Sequence, residues 1–519
     1  TIAETGTLNL RLKNTGDKET VGGESIPKAT HAFSDNTGMI IQGEGNGKNT
    51  AGTLNFVTNG IGKKIYVNMG NVELKNLYFR TNSIIDKYEF IGTEADAEAN
   101  VKGIIIGAGE TLAGIYRPEN TRKDSHRYES LNNIYKGIYS STDDNLNALR
   151  VLISSNEKLG NNYDENLSDE EQLKNLLSYL GSIYTETPYS YSSELSRKSV
   201  GMFRDIAVES QFKPELNKWL IMGGLTHVDG GTKDTYYGKG YYTYDIGSID
   251  MDADTKITGA YMLGEYGVSD TLTYGVLIGG NKLKSELSNG SKVDGDALYM
   301  GAYAKKYIGN LKVTGGLGLQ YGDYDADRLA VNKVASSLAE PVMKYSDSYN
   351  DMTYDIYLNG RYSHNIGENL FLEPYGTLSY TYIKQDSADE GSKVLAIETD
   401  SKSFDYTAAK VGVDLKKVIP HEKGKSTLSA GVSYTRLLNG ADEENITGRF
   451  KGGSDFDILV AHKNEHSIGL NAKYALELEN GILFDVKGSY NVERDSHNGN
   501  GKNRAKGEWI VGAGIGYKF

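Results

Sequence analysis

The chain of 519 residues has no cysteine, which excludes a disulfide scaffold, a thiolate metal site and a cysteine nucleophile. It also lacks any run of about 18 apolar residues, so a transmembrane helix is excluded. Positive charge is in deficit: 56 Lys and Arg stand against 69 Asp and Glu, a net charge of -13. Nucleic acid is therefore not an expected partner, because its phosphates require a basic face. Proline is scarce at 7 residues, while glycine and tyrosine reach 62 and 38, a composition that agrees with an all-β envelope protein. A transmembrane β-barrel escapes hydropathy scales, because half of each strand faces water. The length suits two or three structural units. Thr1 starts directly in strand-like sequence without a basic and apolar leader, so the chain reads as the carboxy-terminal piece of a longer precursor.

From Trp219 onward, apolar and polar residues alternate with the period of a strand. Leu311, Val313, Leu317, Leu319 and Tyr321 oppose Lys312, Thr314, Gly316, Gly318 and Gln320. Leu428, Ala430, Val432 and Tyr434 oppose Thr427, Ser429, Gly431, Ser433 and Thr435. In the last segment Trp509, Val511, Ala513, Ile515, Tyr517 and Phe519 share one face, with glycines and Lys518 on the other and Ile510 as the apolar exception. About twelve such segments are expected, near 219–227, 254–266, 270–283, 294–307, 311–324, 348–364, 370–385, 403–418, 425–438, 458–476, 481–493 and 505–519. Short connections (267–269, 308–310, 365–369, 477–480) alternate with long polar ones (228–253, 325–347, 386–402, 439–457), as short periplasmic turns alternate with long outer loops. Both the first and the last strand then reach the periplasmic rim.

Upstream, Leu195, Met202, Phe203 and Ile206 recur at helical spacing within 192–211, and Pro214 ends the pattern. About 20 helical residues span roughly 30 Å, the height of the hydrocarbon layer, so this helix is long enough to stand in the barrel lumen. From spacing alone, a short periplasmic helix packed beneath the barrel is the favoured reading. Tyr128, Leu131, Ile134, Tyr135 and Ile138, then Leu146, Leu149 and Leu152, read as amphipathic helices. A further helix starts at Ser168 with Glu171 completing a capping box and runs through Ile183. Short alternating runs before these, such as Leu8, Leu10, Leu12 and Ile65, Val67, Met69, suit the rungs of a parallel β-helix or a small β-sandwich. The expected division is a β-rich stem over 1–117, a helical linker over 118–212 and a transmembrane β-barrel over 213–519.

No catalytic constellation emerges. Residues 43–50 (GEGNGKNT) lack the glycine and the Ser or Thr of a Walker A loop and read as a turn. His462 and His466 lack the glutamate of an HExxH motif and read as a strand rim. No Gly-x-Ser-x-Gly elbow exists. Catalytic, cofactor and metal sites are therefore all expected to be absent, and an active enzyme would have to lie upstream of Thr1.

Gly514, Tyr517 and Phe519 together resemble the carboxy-terminal signal by which bacterial outer-membrane barrels are recognised for insertion. Residues 369–383 (NLFLEPYGTLSYTYI) and 185–205 (TETPYSYSSELSRKSVGMFRD) are similar to a barrel strand and to the lumen-helix approach of autotransporters, the type V secretion proteins. The resemblance covers roughly residues 128–519. It implies an outer-membrane translocator that exports or displays an amino-terminal passenger. The family's passengers include adhesins, proteases and esterases; the translocator alone does not say which, and an adhesin is the expectation here. The implied partners are outer-membrane lipid, the barrel assembly machinery, periplasmic chaperones and, through the passenger, host surface ligands. This linker helix is charged and Ser-rich where the family's is often Ala-rich. Paired asparagines at 132–133 and 161–162 lie well before Ser192, and without cleavage there the passenger stays tethered. The competing readings are a passive porin with a periplasmic helical domain and an envelope enzyme.

Overall fold

The computed structural model of the protein describes residues 6–12, 18–21, 24–27, 50–58, 64–68, 73–81, 87–91, 130, 133, 134, 137, 180–235, 250–331, 342–393, 396–442, 444–461, 464–494 and 502–519. The helix expected around 146–152, the capping box at Ser168, the asparagines at 161–162 and His462 fall outside these residues.

The upstream strands are β1 (Thr7–Leu12), β2 (Lys18–Val21), β3 (Glu24–Pro27), β4 (Thr50–Thr58), β5 (Lys64–Asn68), β6 (Glu73–Thr81) and β7 (Lys87–Ile91). β1, β4 and β6 pair in parallel, as do β5 and β7, while β2 and β3 form an antiparallel pair. The register sets Leu8 beside Leu54 and Leu54 beside Leu77, then Leu10 beside Phe56 and Phe56 beside Phe79. Parallel pairing is that of β-helix rungs, whereas a sandwich pairs antiparallel.

Helical residues 180–185 and a 3-10 turn at Pro188–Ser190 lead into α1 (Ser192–Glu209). The remaining strands are β8 (Trp219–Thr235), β9 (Asp250–Gly267), β10 (Leu272–Leu287), β11 (Lys292–Ile308), β12 (Leu311–Val331), β13 (Val342–Tyr362), β14 (His364–Gly367), β15 (Leu370–Gln385), β16 (Ala388–Asp389), β17 (Ile397–Thr399), β18 (Lys402–His421), β19 (Gly424–Asn439), β20 (Asn445–Phe450), β21 (Phe456–Leu459), β22 (His466–Leu478), β23 (Ile482–Arg494), β24 (Lys502–Ala505) and β25 (Glu508–Lys518). Twelve of them (β8 to β13, β15, β18, β19, β22, β23 and β25) pair antiparallel with their neighbours, and β25 pairs with β8 to close a barrel. Closure removes the unpaired edges that lipid cannot hydrogen-bond. At the seam, Trp219 and Phe519 each donate a backbone N–H to the other's carbonyl at 3.0 Å.

Alternation sorts the side chains. Val276, Leu298, Leu317, Ile356, Val432 and Ile468 stand exposed on the outer wall as parts of a continuous apolar band, which only lipid can cover. Aromatic pairs mark its two borders: Trp219–Tyr266 at 4.8 Å and Tyr517–Phe519 at 6.0 Å on one side, Tyr490–Trp509 at 4.7 Å on the other. On the inner wall, glycines admit the rings of neighbouring strands. A Cβ on Gly316 would meet the Tyr357 hydroxyl oxygen at 2.3 Å, and one on Gly279 would meet the Phe203 ring of α1 at 2.2 Å.

One expected segment, 458–476, divides into two elements. Ile458, Leu459, Val460 and Ala461 are all buried, so this apolar run does not alternate between lipid and lumen. It belongs to a cap built by the outer loops, where β16, β17, β20 and β21 form a separate four-stranded sheet. Ile510 points inward and packs against the core of that cap, which explains the single break in the last strand's pattern. β12 and β13 each run 21 residues, about twice the 9–11 needed to cross lipid, and so project toward the cap.

Candidate functional site: the helix-filled lumen

α1 stands inside the barrel. Its first residue, Ser192, donates to Gln385 Oε1 (3.0 Å) at the loop end of β15. Beyond its last turn, the Ser210 carbonyl accepts from Lys312 Nζ (3.3 Å), and Lys213 Nζ donates to the Asp270 carbonyl (2.7 Å) in the short turn between β9 and β10. The helix therefore descends from the long-loop rim to the short-turn rim, and the chain upstream of it leaves at the long-loop end.

The Ser-rich amino-terminal half suits a crowded polar wall, since a serine is small and still carries a hydroxyl. Ser196 donates to Asp351 and bonds the Tyr324 hydroxyl. Ser199 donates to Gln320 Oε1 (2.7 Å) and accepts from Asn281 Nδ2 (2.8 Å). Arg204 grips Asp355 with two parallel bonds of 2.9 Å, and Lys198 pairs with Glu508. At the carboxy-terminal end the charge is inverted: Glu209 lies 3.7 Å from Lys410 and 3.9 Å from Lys487. The wall is thus acidic where α1 is basic and basic where α1 is acidic, and at the last turn its lysines also suit the negative pole of the helix dipole.

Magnitudes rank these contacts. An exposed rim pair such as Arg436–Glu465, with the arginine 54% exposed, contributes about 0–1 kcal/mol. Breaking one partner of a buried pair costs about 3–5 kcal/mol. Asp355, whose side chain is fully buried beside Arg204, is of the second kind, so it fixes the depth of the helix far more firmly than any rim contact.

The four apolar positions read as the helix stripe are all buried, and they divide between two clusters. Leu195 and Met202 join the core that continues into the cap, while Phe203 and Ile206 join Tyr261, Tyr299, Tyr303 and Tyr357 lower in the lumen. Phe203 stacks on Tyr299 with ring centroids 4.6 Å apart. On the opposite side the packing is open, and a polar cavity of about 230 Å³ lies beside the helix, lined by Arg204, Lys410, Ser433, Asn471, Lys487 and Glu493 among others.

Gly514 faces the lumen at the seam, where a Cβ would come within 2.7 Å of the Tyr261 hydroxyl; Tyr517 and Phe519 face lipid. His466 bonds the Tyr434 hydroxyl, and Thr50, the end of the glycine-rich run, opens β4. The polar partners of α1 went unread in the sequence. Inward charges on strands were visible as the polar half of each alternation, but their pairing with the helix was not.

A closed antiparallel barrel with an apolar outer band and a helix descending its lumen defines a translocator domain of the bacterial outer membrane. The model of the autotransporter beta-domain matches residues 230–491, half of the chain, and the chain belongs to that family. Among solved structures it is similar to the translocator domain of the autotransporter NalP from Neisseria meningitidis, at 15% identity and a TM-score of 0.47, covering 63% of this chain and 98% of that one. It is also similar to the beta domain of the Bordetella autotransporter BrkA (14% identity, TM-score 0.38, 57% and 99% covered) and to the transport unit of AIDA-I from Escherichia coli (9% identity, TM-score 0.39, 64% and 99% covered). Comparison with curated proteins finds no match.

Proposed function

We propose that this translocator exports the chain upstream of Leu180 and displays it, uncleaved, on the cell surface, where the passenger to which it is joined serves adhesion to host ligands. The observation that carries this reading is the direction of α1: residues 180–191 lie at the long-loop rim, where the Ala461 N–H donates to the Ser190 carbonyl at 2.8 Å and Asn289 Nδ2, in the β10–β11 turn at the same rim, to the Glu186 carbonyl at 3.2 Å. The parallel strands β1, β4 and β6 support a stem on which further rungs can stack. In this reading Gly514, Tyr517 and Phe519 address the barrel to the assembly machinery, periplasmic chaperones hold the chain beforehand, and the passenger's folding outside favours export.

Protease added to intact cells tests the reading. The expected outcome is loss of residues 1–117 with the barrel left intact. Protection of these residues in intact cells, with digestion only after the outer membrane is opened, would place them in the periplasm and overturn it.

A further inference from the structure

The cap over the lumen joins three distant parts of the chain at one buried carboxylate. Glu390, on the loop that follows β16, has a fully buried side chain. Its Oε1 accepts from Arg328 Nη2 (2.7 Å) and from the Ile397 N–H (2.8 Å), and its Oε2 accepts from Arg328 Nε (2.8 Å) and from the Tyr189 hydroxyl (3.0 Å). Arg328 projects from β12 and lies over the Tyr345 ring at 4.2 Å, while Tyr189 belongs to the segment that has just left the lumen and sits 5.5 Å from the Tyr349 ring. Burial, then the charge of Glu390, pushes the Tyr189 hydroxyl well above its ordinary pKa, so it remains a donor.

We propose that the cap is a clasp closing on the exit segment, with the Tyr189–Glu390–Arg328 contact as the catch that holds α1 in the lumen. A helix slides by 1.5 Å per residue, so even a one-residue slip toward the periplasm would draw Tyr189 beyond reach of Glu390. The same slip would pull the Tyr189 ring from a core that includes Leu180, Ile183, Tyr345, Tyr349 and Ile397. A buried ion pair adds little net stability but is costly to leave incomplete, which suits it to holding one arrangement against its neighbours. The clasp stands on the structure of the cap; only its use, in keeping a displayed passenger from slipping back, rests on the export reading.

Single-channel recording on the full chain in planar bilayers tests the catch. Tyr189→Phe keeps the ring and removes the donor to a charged acceptor, so large-conductance openings, in which α1 leaves the lumen, are expected to become about tenfold more frequent. Glu390→Gln, which also leaves Arg328 buried without its counter-charge, is expected to raise the frequency further, and the double variant to fall short of the sum of the two single effects, because both act on the Tyr189–Glu390 contact. Heat-modifiable mobility confirms that each barrel is folded, and Arg328→Lys replaces Glu390→Gln if that variant does not fold. Folded variants that open as rarely as the parent, or two effects that add in full, would overturn the proposal. Residues 1–117 protected on intact cells would remove the display reading and leave these recordings unaffected.

Discussion

Facing is decided one side chain at a time. Val432 is 49% exposed on the outer wall at the middle of β19, whereas its neighbour Ser433 lines the polar cavity. Arginine at Val432 is therefore expected to destabilise the barrel by about 2–4 kcal/mol, the cost near the bilayer midplane. Arginine at Ser433 is expected to cost much less, and urea titration in lipid bilayers compares the two. Equal losses would reverse the assigned facing. This level of the structure was legible in advance because alternation is local: Leu428, Ala430, Val432 and Tyr434 declare their side with no knowledge of the fold. The grip of Arg204 on Asp355 was not, because those residues lie 151 positions apart and nothing in a one-dimensional pattern couples them. The same holds for Ser196 and Ser199, whose hydroxyls read in sequence only as weak helix formers.

Elements differ in how far their own residues determine their place. The helical period of α1 marked its existence and length, yet by itself favoured a position under the barrel over one inside it; the choice falls to charges on β13, β18, β23 and β25 that complement its own. Because α1 stands in the lumen, with Phe203 stacked on Tyr299 and Arg204 held by Asp355, removal of residues 1–211 is expected to raise single-channel conductance severalfold, read in planar bilayers. An unchanged conductance would mean that the open side of the lumen already carries the current. The cap sheet was the element least visible in advance. Its strands are two to six residues long and lie within loops, and the apolar run at Ile458 to Ala461 looked like the start of a membrane strand because burial against a loop and burial against lipid select the same residue types.

At the scale of the whole molecule, the final strand carries both the closing edge and the residues proposed as the insertion signal. Deleting Phe519 is expected to lower the yield of heat-modifiable barrel in the membrane at least several-fold, while deleting Thr1 leaves it unchanged. Equal yields would remove the signal role from the carboxy-terminal aromatic. The joint between Trp219 and Phe519 has a further consequence, in time rather than in space. β8 is made first among the barrel strands, yet one of its two edges finds its partners in β24 and β25, after every intervening strand has left the ribosome. A nascent chain of any shorter length would carry an open edge that lipid cannot satisfy. The fold thus withholds membrane entry from unfinished copies, so that a ribosome stalled anywhere before β25 releases a product fit for degradation but not for insertion.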